Sequence, residues 1–201
     1  GTANALLACL VAAEMYDEAE ELAGPSMLSM GMVPDSVTYA CLVSAHRARA
    51  QAAARRAQAA RAPGQAAYKR RMTAARKKGP EAVEKTRAAI AVARAERDEA
   101  LDEAASHVRA LRVVMDEMAA ADVPWDGFVN AALISAAFAA NLPDEAVARW
   151  EELRAAGERI DAPAYNVLIA GMGQRGMTME AIEVYEHMTA SGVKESTVTY
   201  N

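Results

Sequence analysis

The sequence predicts an all-α fold, a solenoid of about four stacked helix-turn-helix units in which the second unit carries a long helical-hairpin insertion. Three observations lead there. A ten-residue phrase recurs as GMVPDSVTYA at Gly31–Ala40, DVPWDGFVNA at Asp122–Ala131, GERIDAPAYN at Gly157–Asn166 and GVKESTVTYN at Gly192–Asn201. The last three copies begin 35 residues apart, and a fixed period of this size specifies stacked supersecondary units instead of one globular core. From Gly31 to Asp122 the interval is 91, so about 56 residues are spliced into one unit.

The elements follow in chain order. Asn4, followed by ALL as Asn166 is followed by VLI, stands 36 residues before Ala40 and reads as the tail of a first copy, so repeat 1 occupies 1–35. Repeat 2 covers 36–126. Its first helix starts at SVTYACLVSAHRAR and runs on through AQAAARRAQAAR, rich in strong helix formers, until Pro63 and Gly64 break it. A short basic helix, QAAYKRRMTAARKK, stops at Gly79. Pro80, with Glu81 and Glu84 behind it, opens a pattern with no breaker before Pro124, a helix of about 40 residues and roughly 60 Å. The insertion, at about 50–105, is thus expected to be an arm with its basic residues toward the tip. Repeat 3, 127–161, holds AALISAAFAAN, a turn, and DEAVARWEEL after Pro143. Repeat 4, 162–196, places Val167, Leu168, Ile169 and Met172, then Ala181, Val184, Tyr185 and Met188, at helical spacings, with a turn at Gly173–Gly176 and Thr178 as the expected cap. Gly31, Gly157 and Gly192 suit left-handed caps at helix ends. Residues 197–201 begin a fifth unit, so the chain is expected to belong to a longer array. The pattern itself leaves the hand of the superhelix open.

Charge is segregated. From Arg47 to Lys78 there are 11 Lys or Arg and no Asp or Glu, whereas the remainder carries 11 basic and 27 acidic residues, within a net charge of −5. An acidic body bearing a basic segment points to a polyanion partner for that segment. Arg55, Arg56, Arg61, Lys69, Arg70, Arg71, Arg76, Lys77 and Lys78 are the expected phosphate contacts, and with only Tyr68 as an aromatic among them, backbone contact outweighs base stacking. The alternative is a solvated spacer packed on an acidic surface.

Several classes find no support. Cys9 and Cys41 are too few for a disulfide scaffold and read as packed residues in a reducing compartment. His46, His107 and His187 lack ligands at metal spacing, the carboxylate runs are helix faces, and GMGQRG lacks the strand and Lys-Ser or Lys-Thr of a phosphate loop. No catalysis, metal or cofactor is expected. No apolar run reaches the roughly 18 residues of a membrane helix, so no membrane insertion is expected. GTANALL is neither a signal nor a transit peptide, and any targeting peptide is expected outside this chain.

The phrases VTYN, AYNVLIAG, DEAVARWEEL, EAIEVYEHM and GMVPDSVTY resemble pentatricopeptide repeats, over roughly 145 of the 201 residues. The resemblance implies a right-handed α-solenoid that binds RNA in a mitochondrion or chloroplast. It also implies one base read per unit, by the residue after the helix-A tyrosine together with the residue ending the repeat. Those pairs are Asn4 with Asp35, Ala40 with Asp126, Ala131 with Asp161, and Asn166 with Ser196; by the resemblance the first favours uridine and the last a pyrimidine. Val37, Phe128, Pro163 and Val198 stand where the family sandwiches bases. An Asn amide donates and accepts at a base edge, whereas Ala offers neither. Asp35, Asp126, Asp161 and Ser196 also stand where helix N-caps belong. Two functions are consistent with this: a non-catalytic RNA adaptor in organelle transcript stability, processing or translation, or a scaffold subunit of a large ribonucleoprotein, such as an organellar ribosome, whose arm grips rRNA among other proteins.

Overall fold

The computed structural model describes residues 2–60, 63–124 and 127–193. Among them every regular element is a helix. α1 (Thr2–Ala12) is followed by α2 (Tyr16–Glu21), a π-helical turn at Leu22–Ser26, and α3 (Met27–Ser29). The π turn falls where Pro25, with no amide hydrogen, cannot continue an α-helical ladder. Then come α4 (Ser36–Ala59), α5 (Gln65–Lys78), α6 (Pro80–Ala120), α7 (Gly127–Ala139), α8 (Pro143–Ala156), α9 (Ala162–Gly173) and α10 (Thr178–Ala190).

The stacking is that of a solenoid. α1, α4, α7 and α9 pack one on the next, and α2, α6, α8 and α10 form a second layer, each against its own partner and, for the first three, also against the following unit. One continuous apolar seam runs from Tyr39 and Val43 through Leu111, Met115, Leu133 and Trp150 to Tyr165, Leu168 and Met188. Trp150 meets Tyr165 and His187 edge-on, with ring centres 5.9 and 4.8 Å away, while the Tyr165 hydroxyl lies 2.8 Å from His187 Nδ1. On the outer layer, Arg49 pairs with Asp17 and Glu20, Arg112 with Glu145 and Glu152, and Arg154 with Glu183. Such exposed pairs fix register more than they stabilise.

The repeat is also written in the backbone. Gly31, Asp122, Gly157 and Gly192 end the second-layer helices with φ of 69, 51, 65 and 70°, and Glu14, Asn141 and Gly176 turn the first helix into the second with φ of 60, 61 and 73°. Asp122 therefore takes a conformation for which its three counterparts use glycine.

Between the first helix of the second unit and the stack, the described residues form three helices, the end of α4, α5 and α6. α6 is 41 residues long, about 60 Å, and runs unbroken from the arm into the stack. Its C-terminal half packs on α4, where Ala50, Ala53 and Ala54 face Ala100 and Ala104, small side chains that let the two axes approach closely. Its N-terminal half packs on α5; Met72 and Ala75 of α5 and Ile90 of α6 are buried, and Arg94 lies over the Tyr68 ring at 5.1 Å. The arm is thus a hairpin with one limb in two pieces, broken after Ala60. Gly79, at φ 108°, makes the reversal that Pro80 then continues as a helix.

Two sequence expectations are corrected. Thr178 is the first helical residue and not the cap, which is Met177, and no side chain caps α10. Cys9 is exposed, whereas Cys41 packs partly against the small Leu7–Ala19–Ala23 cluster.

Candidate functional site

The face to consider is the one lined by α1, α4, α7 and α9. At its start, Asn4 Nδ2 donates to both Asp35 oxygens, at 3.0 and 2.8 Å, and Asn4 Oδ1 accepts from the Thr38 hydroxyl at 3.0 Å. Asp35 is at the same time the N-cap of α4, accepting the Val37 and Thr38 amides at 3.0 Å each. The Thr38 amide above all, then Asn4, the Thr38 hydroxyl and the Val37 amide, hold its carboxyl below the usual range, against an opposing push from desolvation. Capping and side-chain pairing are therefore done by one carboxylate. Val37, two residues on, is about half exposed, and Ala40 is half-buried.

The next stretch departs from the repeat register. Contacts between α1 and α4 span 31 and 34 residues, and Arg175 reaches the Phe138 carbonyl across 37, all near the period of 35. From α4 to α7 the Gln51–Ser135 hydrogen bond spans 84 residues and the Arg47–Phe128 contact spans 81, short of the 91 in the sequence. α7 consequently lies about two turns further along α4 than the repeat alignment places it. Ala40 is not level with Ala131.

Around α7 and α9 four of the expected residues meet. Phe128, Ala131, Asp161 and Pro163, with Arg47 and Ser135, line a cavity of about 300 Å³. The Arg47 guanidinium lies 5.2 Å from the centre of the Phe128 ring, and its Nε is buried without a hydrogen-bond partner. Asp161 caps α9 through the Ala164 amide at 3.1 Å. Its carboxylate crosses the start of α7 where only glycine fits, since a Cβ on Gly127 would come within 2.2 Å of it. Ala131 is nearly buried, at 8% exposure, so it shapes the cavity wall and offers no polar atom. Asn166 is half-buried on α9. Asp126, Ser196, Val198 and Arg61 lie outside the described residues.

Of the expected phosphate contacts, Arg55 and Arg56 stand exposed on α4, and Lys69, Arg70, Arg71, Arg76, Lys77 and Lys78 stand exposed on α5. Arg56 is held by Glu103 of α6. The others form no ion pair among the described residues. Lys69, Arg70 and Lys77 border a shallow depression on α5.

Three further cations were not singled out by sequence reasoning: Arg47, Arg97 and Arg175. Arg47, Gln51 and Arg55 share a stripe on α4 at four-residue spacing, the one signal available beforehand; Arg97 and Arg175 come near it only through tertiary packing. The face also lacks a metal set, for among the described residues no three His, Cys, Asp or Glu side chains cluster as ligands. No described helix is long and apolar enough to cross a membrane.

Comparison with known proteins adds the following. Residues 160–201 match the PPR repeat family. The crystal structure of the pentatricopeptide repeat protein PPR10 in complex with an 18-nt psaJ RNA element is similar over 98% of this chain, at 25% identity and a TM-score of 0.58. A variant of that protein with three cysteines changed to serine, bound to the same element, matches equally well. This chain spans 21% of their length. No curated protein sequence matches it.

Proposed function

We propose that this chain, a pentatricopeptide repeat protein, binds single-stranded RNA along the face of α1, α4, α7 and α9 and performs no chemistry of its own. The observation that carries this is the Phe128–Asp161 cavity. Two adjacent units contribute to it an aromatic ring, a carboxylate and a nearby cation, and a solenoid of the same form holds RNA. Phe128 offers a stacking surface, Asp161 an acceptor for a base edge, and Arg47 a positive charge beside both. The setting we assign is organelle gene expression, in a mitochondrion or chloroplast, acting on transcript stability, processing or translation.

Short pyrimidine-rich and purine-rich strands, titrated against the chain by fluorescence anisotropy, test it. Phe128→Ala should weaken binding by the worth of one stacked base, about 1 to 3 kcal/mol. Asp161→Asn retains a capping oxygen and should alter base preference with little change in stability. Equal binding of all strands, with both variants neutral, would overturn the reading.

One observation favours a second reading, a scaffold whose arm grips rRNA backbone within a ribonucleoprotein alongside other proteins. Lys69, Arg70, Arg71, Arg76, Lys77 and Lys78 crowd one short helix without an acidic partner among the described residues, and such a set is relieved by phosphates. Changing these six to Gln abolishes RNA binding under the scaffold reading and leaves sequence-dependent binding in place under the first.

A further inference from the structure

We infer that the cleft between the arm and the C-terminal ends of α7 and α9 grips a backbone phosphate of the strand whose bases lie against the Phe128–Asp161 cavity. This rests on the RNA reading above and adds to it a subsite built by the arm.

The cleft has a volume of about 560 Å³, and its walls come from four helices: Gln51 and Arg55 from α4, Arg97 from α6, Ser135 from α7, and Gln174 with Arg175 at the end of α9. Among the described residues no carboxylate lines it, although the chain holds 27 acidic residues. Six arginines elsewhere, Arg49, Arg56, Arg87, Arg112, Arg149 and Arg154, each have a carboxylate within 4 Å. Arg55 and Arg97 have none among the described residues, and both are exposed toward the opening.

Arg175 is the fixed wall. Its two terminal nitrogens donate to the carbonyls of Gly171 and Phe138, it lies over the Phe138 ring at 4.9 Å, and its Nε is buried without a partner. All its partners are neutral. Carbonyls and a ring do not neutralise the guanidinium, and burial, which disfavours the charged form, pulls its pKa down. An anion in the cleft would meet this charge on the solenoid side and Arg55 with Arg97 on the arm side.

The cleft also joins the base cavity. Ser135 and Val167 line both, so a strand seated on Phe128 and Asp161 reaches the three arginines without leaving the face. Contacts of this kind position a strand and carry no sequence information. The arm then acts as a clamp that closes on the sugar-phosphate edge while the units read bases.

The test uses the whole chain and the double variant Arg55→Gln/Arg97→Gln, at two exposed positions. Two probes are titrated over a range of salt: a pyrimidine-rich RNA and an abasic phosphodiester strand of equal length. Loss of the gripped phosphate should lower the slope of log K against log salt by about 0.7, and lower affinity on the order of 5-fold at 0.1 M salt. RNA binding with an unchanged slope would overturn the clamp and leave the RNA reading intact. If the unsubstituted chain holds the abasic strand through these arginines but shows no preference for RNA, base recognition falls and the anion subsite stands. Binding of neither probe overturns both.

Discussion

The Nδ1 atoms of His46 and His107 lie 3.3 Å apart in the buried seam between α4 and α6, so one ring donates and the other accepts, and both are neutral. Burial, then the charge of Arg49, pushes His46 down to about 4, and burial and Arg49 likewise lower His107. Glu20, 3.6 Å from His46, and Glu103 bear on this pair from α2 and α6, and neither carboxylate reverses the direction.

A pH-dependent stability follows from this pair. In the unfolded chain each histidine takes up a proton near pH 6.5, whereas the folded His46 resists until about pH 4. Stability is therefore full above pH 6.5 and falls as pH drops from there toward 4, by about 2 to 3 kcal/mol for His46. Urea midpoints between pH 7.5 and 4.5 measure it. In His46→Leu/His107→Leu this part of the pH dependence should vanish; an unchanged slope would place its source elsewhere.

Glycine should improve two turns. Glu14 and Asp122 hold φ of 60 and 51°, where a Cβ is strained and where Gly157 and Gly176 do the same task without one. Glu14→Gly and Asp122→Gly are each expected to stabilise the fold by about 0.5 to 1 kcal/mol, read as a raised melting temperature. A drop for both would show that their side chains matter more than their backbone.

The opposite change at Gly171 should harm. A Cβ there would lie 2.3 Å from the Phe138 ring, at the point where α9 crosses α7. Gly171→Ala is expected to destabilise by about 1 to 3 kcal/mol through overpacking, and to weaken anion binding because the Phe138–Arg175 stack moves. Equilibrium denaturation compared with a probe titration separates the two effects.

Asp35 joins two roles that substitution can pull apart. Asp35→Ala removes the α4 cap and should lose about 1 kcal/mol; Asp35→Asn keeps a cap oxygen and should lose less. Because the carboxyl is held below its ordinary range, its contribution is present above about pH 4 and fades as pH falls further. If Asp35→Asn nevertheless shifts base preference at the first unit, the Asn4–Asp35 pair has a role beyond capping.

Much of this architecture could be read in the chain because its signals are local. The ten-residue phrase, the breakers at Pro63–Gly64 and Gly79–Pro80, and the unbroken run before Pro124 each act locally: α4 ends at Ala59, α5 begins at Gln65, and α6 runs from Pro80 to Ala120. What was not legible depends on contacts far apart in sequence. Nothing near Met72 says that it will be buried. Nothing near His46 points to a partner 61 residues away. The slip of α7 along α4 shows only in contacts such as Gln51–Ser135 and Arg47–Phe128, between residues far apart in the chain. Arg97 and Arg175 belong to the same category: one is an ordinary helix arginine and the other a turn arginine after α9 until the fold brings them to the cleft that Arg55 lines.

The long helix α6 has a mechanical consequence. It contains no proline after Pro80 and no glycine, so there is no hinge at which its outer and inner halves could swing separately. A load at the outer end is therefore carried along one rod to Leu111 and Met115 inside the stack.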